Sequence, residues 1–458
     1  MNLSQALRLP HSSRLALVGS GGKTTALFQL AYQLAPPVLV TATTHLAVEQ
    51  LRLANRHIIV QSPAAVTALS GELSPGVILL TGPPAGDERI SGLDPASLEQ
   101  LLVLADAHRL PVLVEADGSR RRPLKAPAAH EPALPEWADT VVVTVGLAGL
   151  GQPLGPEWVH RPERFGEISG LADGEPVTVA ALAKVLTSRQ GGLKNIPAGA
   201  RRVALLNQAD SPERQAQAYR LAQALLPQFH SVIVAALGPA AQENSGAAGP
   251  MAGQPKNGTI FAVHEPVAGI ILAAGGAQRL GQPKQLLEWR GEPFVRRVAR
   301  TALAAGLAPV LVVTGAYAEE VWPALEGLAV HVVHNPDWES GQGVSVSAGV
   351  QALPPETGAV IFLLADQPQV PATLLRSLVE THARDLPPLV APQAGGRRAN
   401  PVLFDRQTFP DLRALSGETG GRVLFSRYPV AWLEWHDPSL LLDVDTIDDY
   451  QRLLELDL

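Results

Sequence analysis

The sequence predicts an α/β protein of two domains, each built on a mostly parallel sheet. Three observations lead there. Short continuous apolar runs alternate with longer amphipathic segments, polar residues collect at the carboxyl ends of those runs, and one stretch near the middle lacks any period. Strands that are apolar throughout are buried on both faces, which calls for helices on both sides of a parallel sheet. Ligands then bind beyond the carboxyl ends of the strands.

The elements follow in chain order. RLALVG, PPVLVTAT, GVILLTG, LPVLVEAD, DTVVVTVG and RRVALLN read as strands, and ALFQLAYQLA, after the first of them, reads as a helix. Residues 236–266, ALGPAAQENSGAAGPMAGQPKNGTIFAVHEP, are rich in Gly, Pro and Ala and read as an interdomain linker. The linker separates domains over residues 1–235 and 267–458. In the second domain VAGIILAA, PVLVVTG, VHVVHN, AVIFLLAD and PLVAP are the strand candidates. PFVRRVARTALAAG, AEEVWPALEG and PATLLRSLVETHARD are the helix candidates.

Composition removes several classes of function. The chain has 458 residues, enough for two or three domains, and 46% of them are apolar, a globular content. Its 36 Lys and Arg against 43 Asp and Glu leave a net charge of −7, which argues against a nucleic-acid partner. There is no cysteine, so disulfides, thiolate metal sites and a cysteine nucleophile are excluded. No apolar run approaches the roughly 18 residues of a membrane helix. The start MNLSQALRLPHSS lacks a basic-then-apolar leader, so a cytoplasmic protein with no membrane partner is expected.

Two glycine-rich loops carry the chemistry. The first, VGSGGKTT, spans Val18 to Thr25 between a strand and a helix. It is shorter than a full GxxxxGK[ST] P-loop, but Gly19, Gly21 and Gly22 allow backbone N–H groups close to phosphate oxygens. Lys23 would face the phosphates of ATP or GTP, and Thr24 or Thr25 would meet Mg²⁺. LPVLVEADGS places Glu115 and Asp117 at another strand end, with Asp117 as the metal-side acid. RRVALLNQAD puts Asn207 and Asp210 where many GTPases carry N-K-x-D, with Gln208 in place of the lysine. Arg120, Arg121, Arg122 and Lys125 form the most basic cluster in an acidic chain, suited to an anionic substrate such as a phosphorylated pterin. His45 and His130 are metal candidates by type, although lone histidines are more often structural.

The second loop, ILAAGGAQRLGQPKQLL, follows the first strand of the second domain. Gly275 and Gly276 open it, and Arg279 and Lys284 can neutralise a polyphosphate. Asp366 ends the strand of AVIFLLAD, and Asp443 and Asp445 follow the apolar run of LLLDVDTIDDY. Two such carboxylates can hold one Mg²⁺ between them, although each alone is more simply a turn residue.

The ordered motifs LAAGxxxRxGxxK, NPDWxxGxGxSxxxG, ADQP, NPVLF and DVDT resemble the molybdenum cofactor cytidylyltransferase family over nearly all of residues 267–458. That family belongs to the Rossmann-like nucleotidyltransferases, and the resemblance implies transfer of CMP from CTP to molybdopterin with release of pyrophosphate. It implies that Leu272, Ala273, Ala274 and Gly275 meet the nucleotide and that Arg279, Lys284 and Asp366 are catalytic. Asp366 and Asp445 would bind Mg²⁺, Ser345, Ser347 and Gly349 would line the base or ribose, and Asn335, Asn400 and Pro401 would shape the pterin side. The segments GSGGKTT, TATTH, EADGSRRRPLKAPAAHEP and HRPERF are similar to the selenium-dependent hydroxylase accessory (YqeC-like) family over roughly residues 10–235. This second resemblance implies a P-loop-like domain tied to maturation of molybdenum hydroxylases.

The expected protein is therefore a cytidylyltransferase fused to a nucleotide-binding accessory domain, with the molybdenum cofactor and an apo molybdenum hydroxylase as partners. Two alternatives stand beside it. One is a nucleotide-gated chaperone for the hydroxylase, or a ligase in the N-terminal half. The other is nucleotidyl transfer to another phosphorylated acceptor, from GTP or onto a sugar phosphate.

Overall fold

The computed structural model describes residues 1–238, 258–276 and 282–456. Two units separate by their internal contacts, Met1–His264 and Glu265–Leu458.

Among the described residues the N-terminal unit carries a nine-stranded sheet. Its strands are β1 (Arg14–Gly19), β2 (Val38–Ala42), β3 (Arg56–Ile59), β4 (Val77–Thr81), β5 (Val112–Glu115), β6 (Thr140–Gly146), β7 (Arg201–Asn207), β8 (Ser231–Ala236) and β9 (Thr259–His264). The spatial order is β9-β8-β7-β6-β1-β5-β2-β4-β3. Helix α1 (Lys23–Gln33) leaves β1, α2 (Pro95–His108) precedes β5, and α3 (Pro212–Leu225) joins β7 to β8. Strand β1 pairs in parallel with β5 on one side and β6 on the other, and its first five residues are buried. The chain leaves β1 towards β2 and later crosses to β6 on the opposite side. The end of β1 is thus the point where winding reverses, and crevices for ligands open at such points.

The last strand is a finding. The segment TIFAVH lies in the stretch expected as linker, yet it forms β9 and pairs antiparallel with β8. Its β-branched and aromatic residues suit a strand, and the Gly-, Pro- and Ala-rich residues before it obscure that run in a compositional reading.

In the C-terminal unit the sheet holds β10 (Val267–Ala273), β11 (Val310–Thr314), β12 (His331–His334), β13 (Ala359–Leu364), β14 (Leu389–Ala394), β15 (Arg397–Arg398), β16 (Val402–Asp405) and β17 (Val430–Glu434). The order is β12-β11-β10-β13-β16-β14-β15, with β17 on β14. Strands β10 to β13 are parallel, whereas β16 runs antiparallel to both β13 and β14. Helices α4 (Phe294–Ala304), α5 (Gln342–Gln351) and α6 (Ala372–Asp385) cover this sheet, and α7 (Ile447–Leu454) lies near the chain end. Winding again reverses at the central strand, β10, where the second glycine loop begins. No helix among the described residues is long and apolar enough to cross a membrane.

Candidate functional site

The first loop is a tight backbone turn fixed on three sides. Gly19, Gly21 and Gly22 have φ of 95°, 73° and 124°, a region closed to most side chains. A Cβ at Gly21 would stand 2.2 Å from the backbone nitrogen of Gly146, and one at Gly22 would stand 2.3 Å from Asn207 Nδ2. Asn207 donates to the Gly21 carbonyl at 2.7 Å and accepts from the Leu237 amide at 2.8 Å. Both ends of its amide are thus used to clamp the loop. Asp210, its partner in the guanine-reading comparison, is ion-paired with Arg214 at 2.5 Å instead.

Beneath the loop the charges alternate. Lys23 Nζ donates to the Gly19 carbonyl at 2.7 Å and lies 3.3 Å from Asp117 Oδ1. Asp117 also accepts from the Gly19 amide and pairs with Lys125 at 2.7 Å. Lys125 reaches Glu131 at 2.8 Å, and Arg161 grips both oxygens of Glu131 at 2.9 and 3.0 Å. Burial opposes the charge on Glu131, but Arg161 and Lys125 outweigh it and hold the carboxyl down at about 2. Glu115 is the contrary case: burial pushes its carboxyl up, only partly countered by Lys23.

The acid expected on the metal side, Asp117, is buried, with its oxygens facing Lys23, Lys125 and the Gly19 amide. Glu115 instead accepts from the Thr24 hydroxyl at 3.1 Å and lines the cleft beside the loop. The cleft measures about 1550 Å³ and runs from Gly21, Gly22, Lys23, Thr24 and Thr25 to a cationic wall. Arg120, Arg121, His130, His160 and Arg161 belong to that wall, as does His45, whereas Arg122 does not line it. The sequence reading passed over His160 and Arg161, which lie in HRPERF, quoted only as part of a resemblance.

In the C-terminal unit Lys284 gathers the acids. Its ammonium donates to Asp445 and stands 3.8 Å from Asp366 Oδ2. Burial, with the nearby Asp443 and Asp445 charges adding, pushes the Asp366 carboxyl up to about 6 even though Lys284 opposes the rise. Asp443 is also raised, by burial first, while it accepts from Gln367. Among the described residues no three His, Asp or Glu side chains are placed to share a metal ion. A pair of carboxylates is still a fitting donor set for Mg²⁺, which usually takes one or two from the protein and the rest from water and phosphate.

The structure supports the second loop with residues the motif did not reveal. Gln285, buried, donates towards the Ala273 and Gly275 carbonyls at 3.3 and 3.5 Å. The Trp338 ring lies where a Cβ at Gly276 would come within 2.9 Å, which explains that glycine. Leu272 and Ala273 end β10, and Ala274 and Gly275 follow it; Arg279 lies outside the described residues.

Several residues expected at the base, ribose or pterin have interior partners instead. Ser347 donates to the Arg413 carbonyl at 2.7 Å and accepts from Gln351, so its hydroxyl is committed within the fold. Gly349 lets α5 pack on β10, since a Cβ there would meet Ile270 at 2.9 Å. Asn335 donates to Ser345 at 3.0 Å and accepts from the Asp337 amide at 3.1 Å, which fixes the NPDW turn. Asn400 and Pro401 lead into β16, with Pro401 buried.

A glycine loop ending a central parallel strand, with Lys284 set between Asp366 and Asp445, fits a nucleotidyltransferase of the α/β class. Comparison with known proteins agrees. A family model described as MobA-like NTP transferase domain matches residues 269–432, and one described as YqeC protein matches residues 15–163. The chain belongs to both families: it is a YqeC domain fused to a MobA-like NTP transferase domain.

Among relatives, the chain is 32% identical over 221 residues to the uncharacterized protein YqeC of Escherichia coli K12, covering 48% of this chain and 84% of that one. It is 34% identical over 198 residues to the nicotine blue oxidoreductase of Paenarthrobacter nicotinovorans, covering 41% and 96%. It is 24% identical over 182 residues to the molybdenum cofactor cytidylyltransferase of Escherichia coli K12, covering 40% and 92%.

Proposed function

We propose that the C-terminal unit transfers CMP from CTP to the terminal phosphate of molybdopterin and releases pyrophosphate. The observation that carries the reading is Lys284 set between Asp445 and Asp366 at the foot of the glycine loop. The similarity to a named cytidylyltransferase supports the choice of nucleotide and acceptor.

The chemistry matches this inventory. The acceptor phosphate supplies its own nucleophile, so the protein must position two anions and neutralise them. Lys284 is placed to move from the carboxylates onto the triphosphate, and Arg279 would join it. Gly275 presents its backbone without a side chain, and a Cβ added there would meet none of the described residues within 4 Å. Mg²⁺, held by Asp366 and Asp445, would supply charge neutralisation at the triphosphate. Asp366 must then be ionised, and its raised value makes cation binding and deprotonation favour one another.

For the N-terminal unit we infer triphosphate binding, ATP or GTP, on Gly19–Thr25, with Lys23 on the phosphates and Glu115 with Thr24 on the metal side. Its role would lie in handing the molybdenum cofactor to an apo molybdenum hydroxylase.

The test is pyrophosphate release by the full chain with Mg²⁺ and molybdenum cofactor, comparing CTP, GTP, ATP and UTP. Release with CTP alone, lost in Asp366→Ala, supports the reading, and release with GTP makes it a guanylyltransferase. Silence with all four removes the molybdopterin acceptor. The name of the nicotine blue relative raises a redox reading. Dye reduction by the same preparation, without nucleotide turnover, would favour that alternative.

A further inference from the structure

Five arginines among the described residues of the N-terminal unit have positive φ, a backbone conformation that side chains disfavour, and three of them meet at the cleft. Arg120, Arg121 and Arg161 have φ of 50°, 61° and 65°, and all three line the cleft. Of the nine non-glycine residues with positive φ among the described residues, these and Gln208 make four at this one place. Such conformations cost free energy at each residue and persist where surrounding structure enforces them, chiefly at ligand sites.

The cleft also exceeds one ligand. Sites for a single small molecule occupy roughly 300–1,000 Å³, and this one is about 1550 Å³. Its lining is mixed in charge, with Arg120, Arg121 and Arg161 set beside the carboxylates of Glu49 and Glu131. The buried chain Lys23–Asp117–Lys125–Glu131–Arg161 alternates in charge, and each of its carboxylates is shared between two cations. The series begins on Lys23 at the glycine loop and finishes on Arg161, whose two terminal nitrogens are both bonded to Glu131. Burial first, then the charges of Arg161 and Lys125 with Arg120 adding, push His160 down to about 4 against the opposing charge of Glu131. His160 is thus a neutral ring among cations. Arg121 pairs with Glu49 at 3.1 Å, and both side chains are largely exposed, a pair that an incoming anion breaks at little cost.

We propose that the cleft binds two anions side by side: a nucleoside triphosphate on the glycine loop and a small oxyanion substrate, carboxylate or phosphate ester, on Arg120 and Arg121, with the neutral His160 beside them. The proposal rests on the loop being a triphosphate site and adds its second substrate. The arrangement is that of an acceptor beside a phosphoryl donor. An acceptor oxygen attacks the γ-phosphorus and a new P–O bond forms. The bond to the bridging oxygen breaks, and its electron pair leaves on the β-phosphate of the nucleoside diphosphate. The acceptor is already ionised, so no proton moves and no base is required. What the reaction needs is relief of repulsion between two anions, which Lys23 at the loop and Arg120 and Arg121 across the cleft would provide.

The test uses the full chain and labelled inorganic phosphate as probe, with a non-hydrolysable ATP analogue saturating the loop. Arg120→Gln/Arg121→Gln keeps a Cβ at both exposed positions, so the backbone is treated alike. The expected result is phosphate uptake in the presence of the analogue, weakened at least about tenfold in the double variant while analogue affinity is unchanged. Succinate as competitor separates a carboxylate from a phosphate preference. Displacement of phosphate by the analogue, uptake indifferent to the double substitution, or no uptake by the wild type would each overturn the second site. Lys23→Ala isolates the premise: if it leaves analogue affinity intact, the triphosphate reading fails, while the dependence of phosphate uptake on the two arginines is still measured.

Discussion

Lys23 Nζ lies 3.3 Å from Asp117 Oδ1, with each side chain only 3% exposed, beneath a loop whose glycines face the cleft. The lysine expected to meet phosphates is thus held in advance by a buried carboxylate that also anchors Lys125. Asp117 organises the site from below. Asp117→Asn leaves two lysines with reduced compensation, and removing one partner of a buried ion pair typically costs about 3–5 kcal/mol. Urea unfolding at neutral pH should show a loss of that order. A loss under about 1 kcal/mol would mean that the carboxylate does not hold the lysines.

The loop glycines should differ in their tolerance of alanine. At Gly21 the added methyl meets backbone, at Gly146, which cannot give way; at Gly22 it meets the amide of Asn207, which can turn. Gly21→Ala should therefore lower the melting temperature more than Gly22→Ala. Both positions have positive φ, so both should lose stability and triphosphate affinity. Thermal melts with and without the ATP analogue separate the two effects.

Asp366 should make stability fall as pH rises. Its folded value, about 6, stands above the ordinary 3.8, so the folded chain holds the proton more tightly than the unfolded one. Stability from this group is full below about pH 4 and is lost as pH rises through about 6. A shift of about two pKa units corresponds to about 3 kcal/mol. Asp366→Asn removes the titration. The variant should gain on the wild type between about pH 4 and pH 8 in paired unfolding curves, while losing pyrophosphate release. Added Mg²⁺ should stabilise the wild type and not the variant.

Lys284→Ala should reduce pyrophosphate release by at least about 100-fold, the usual effect of removing one group that stabilises transition-state charge. Its loss should also raise the Asp366 carboxyl further, because Lys284 is the charge that opposes the rise. The pH–rate profile of the residual activity should accordingly move its acidic limb upward.

The glycine loops, the strand ends and the alternation of strands with helices were legible in the sequence because they depend on local chemistry. Apolar runs long enough to cross a sheet, glycines before a helix and acids after a strand each signal themselves within ten residues. Strand β9 was not legible, since its run TIFAVH follows residues whose composition says linker, and its pairing with β8 is made across a gap in sequence. The roles expected at Ser347 and Gly349 came from the family resemblance, and the fold adds what no motif shows: the Ser347 hydroxyl donates to a carbonyl, and the missing Cβ at Gly349 admits a helix to the sheet.

By itself the sequence determined the α/β class, the two families and the positions of both glycine loops. Only the tertiary structure decided which charges meet. It buried Asp117 between two lysines and left Glu115 to the cleft, brought Arg161 to Glu131 across 30 positions, and set Lys284 beside Asp445 across 161. The reason is physical. A side chain's charge is local information, but its field and its desolvation depend on neighbours that only the folded sheet supplies.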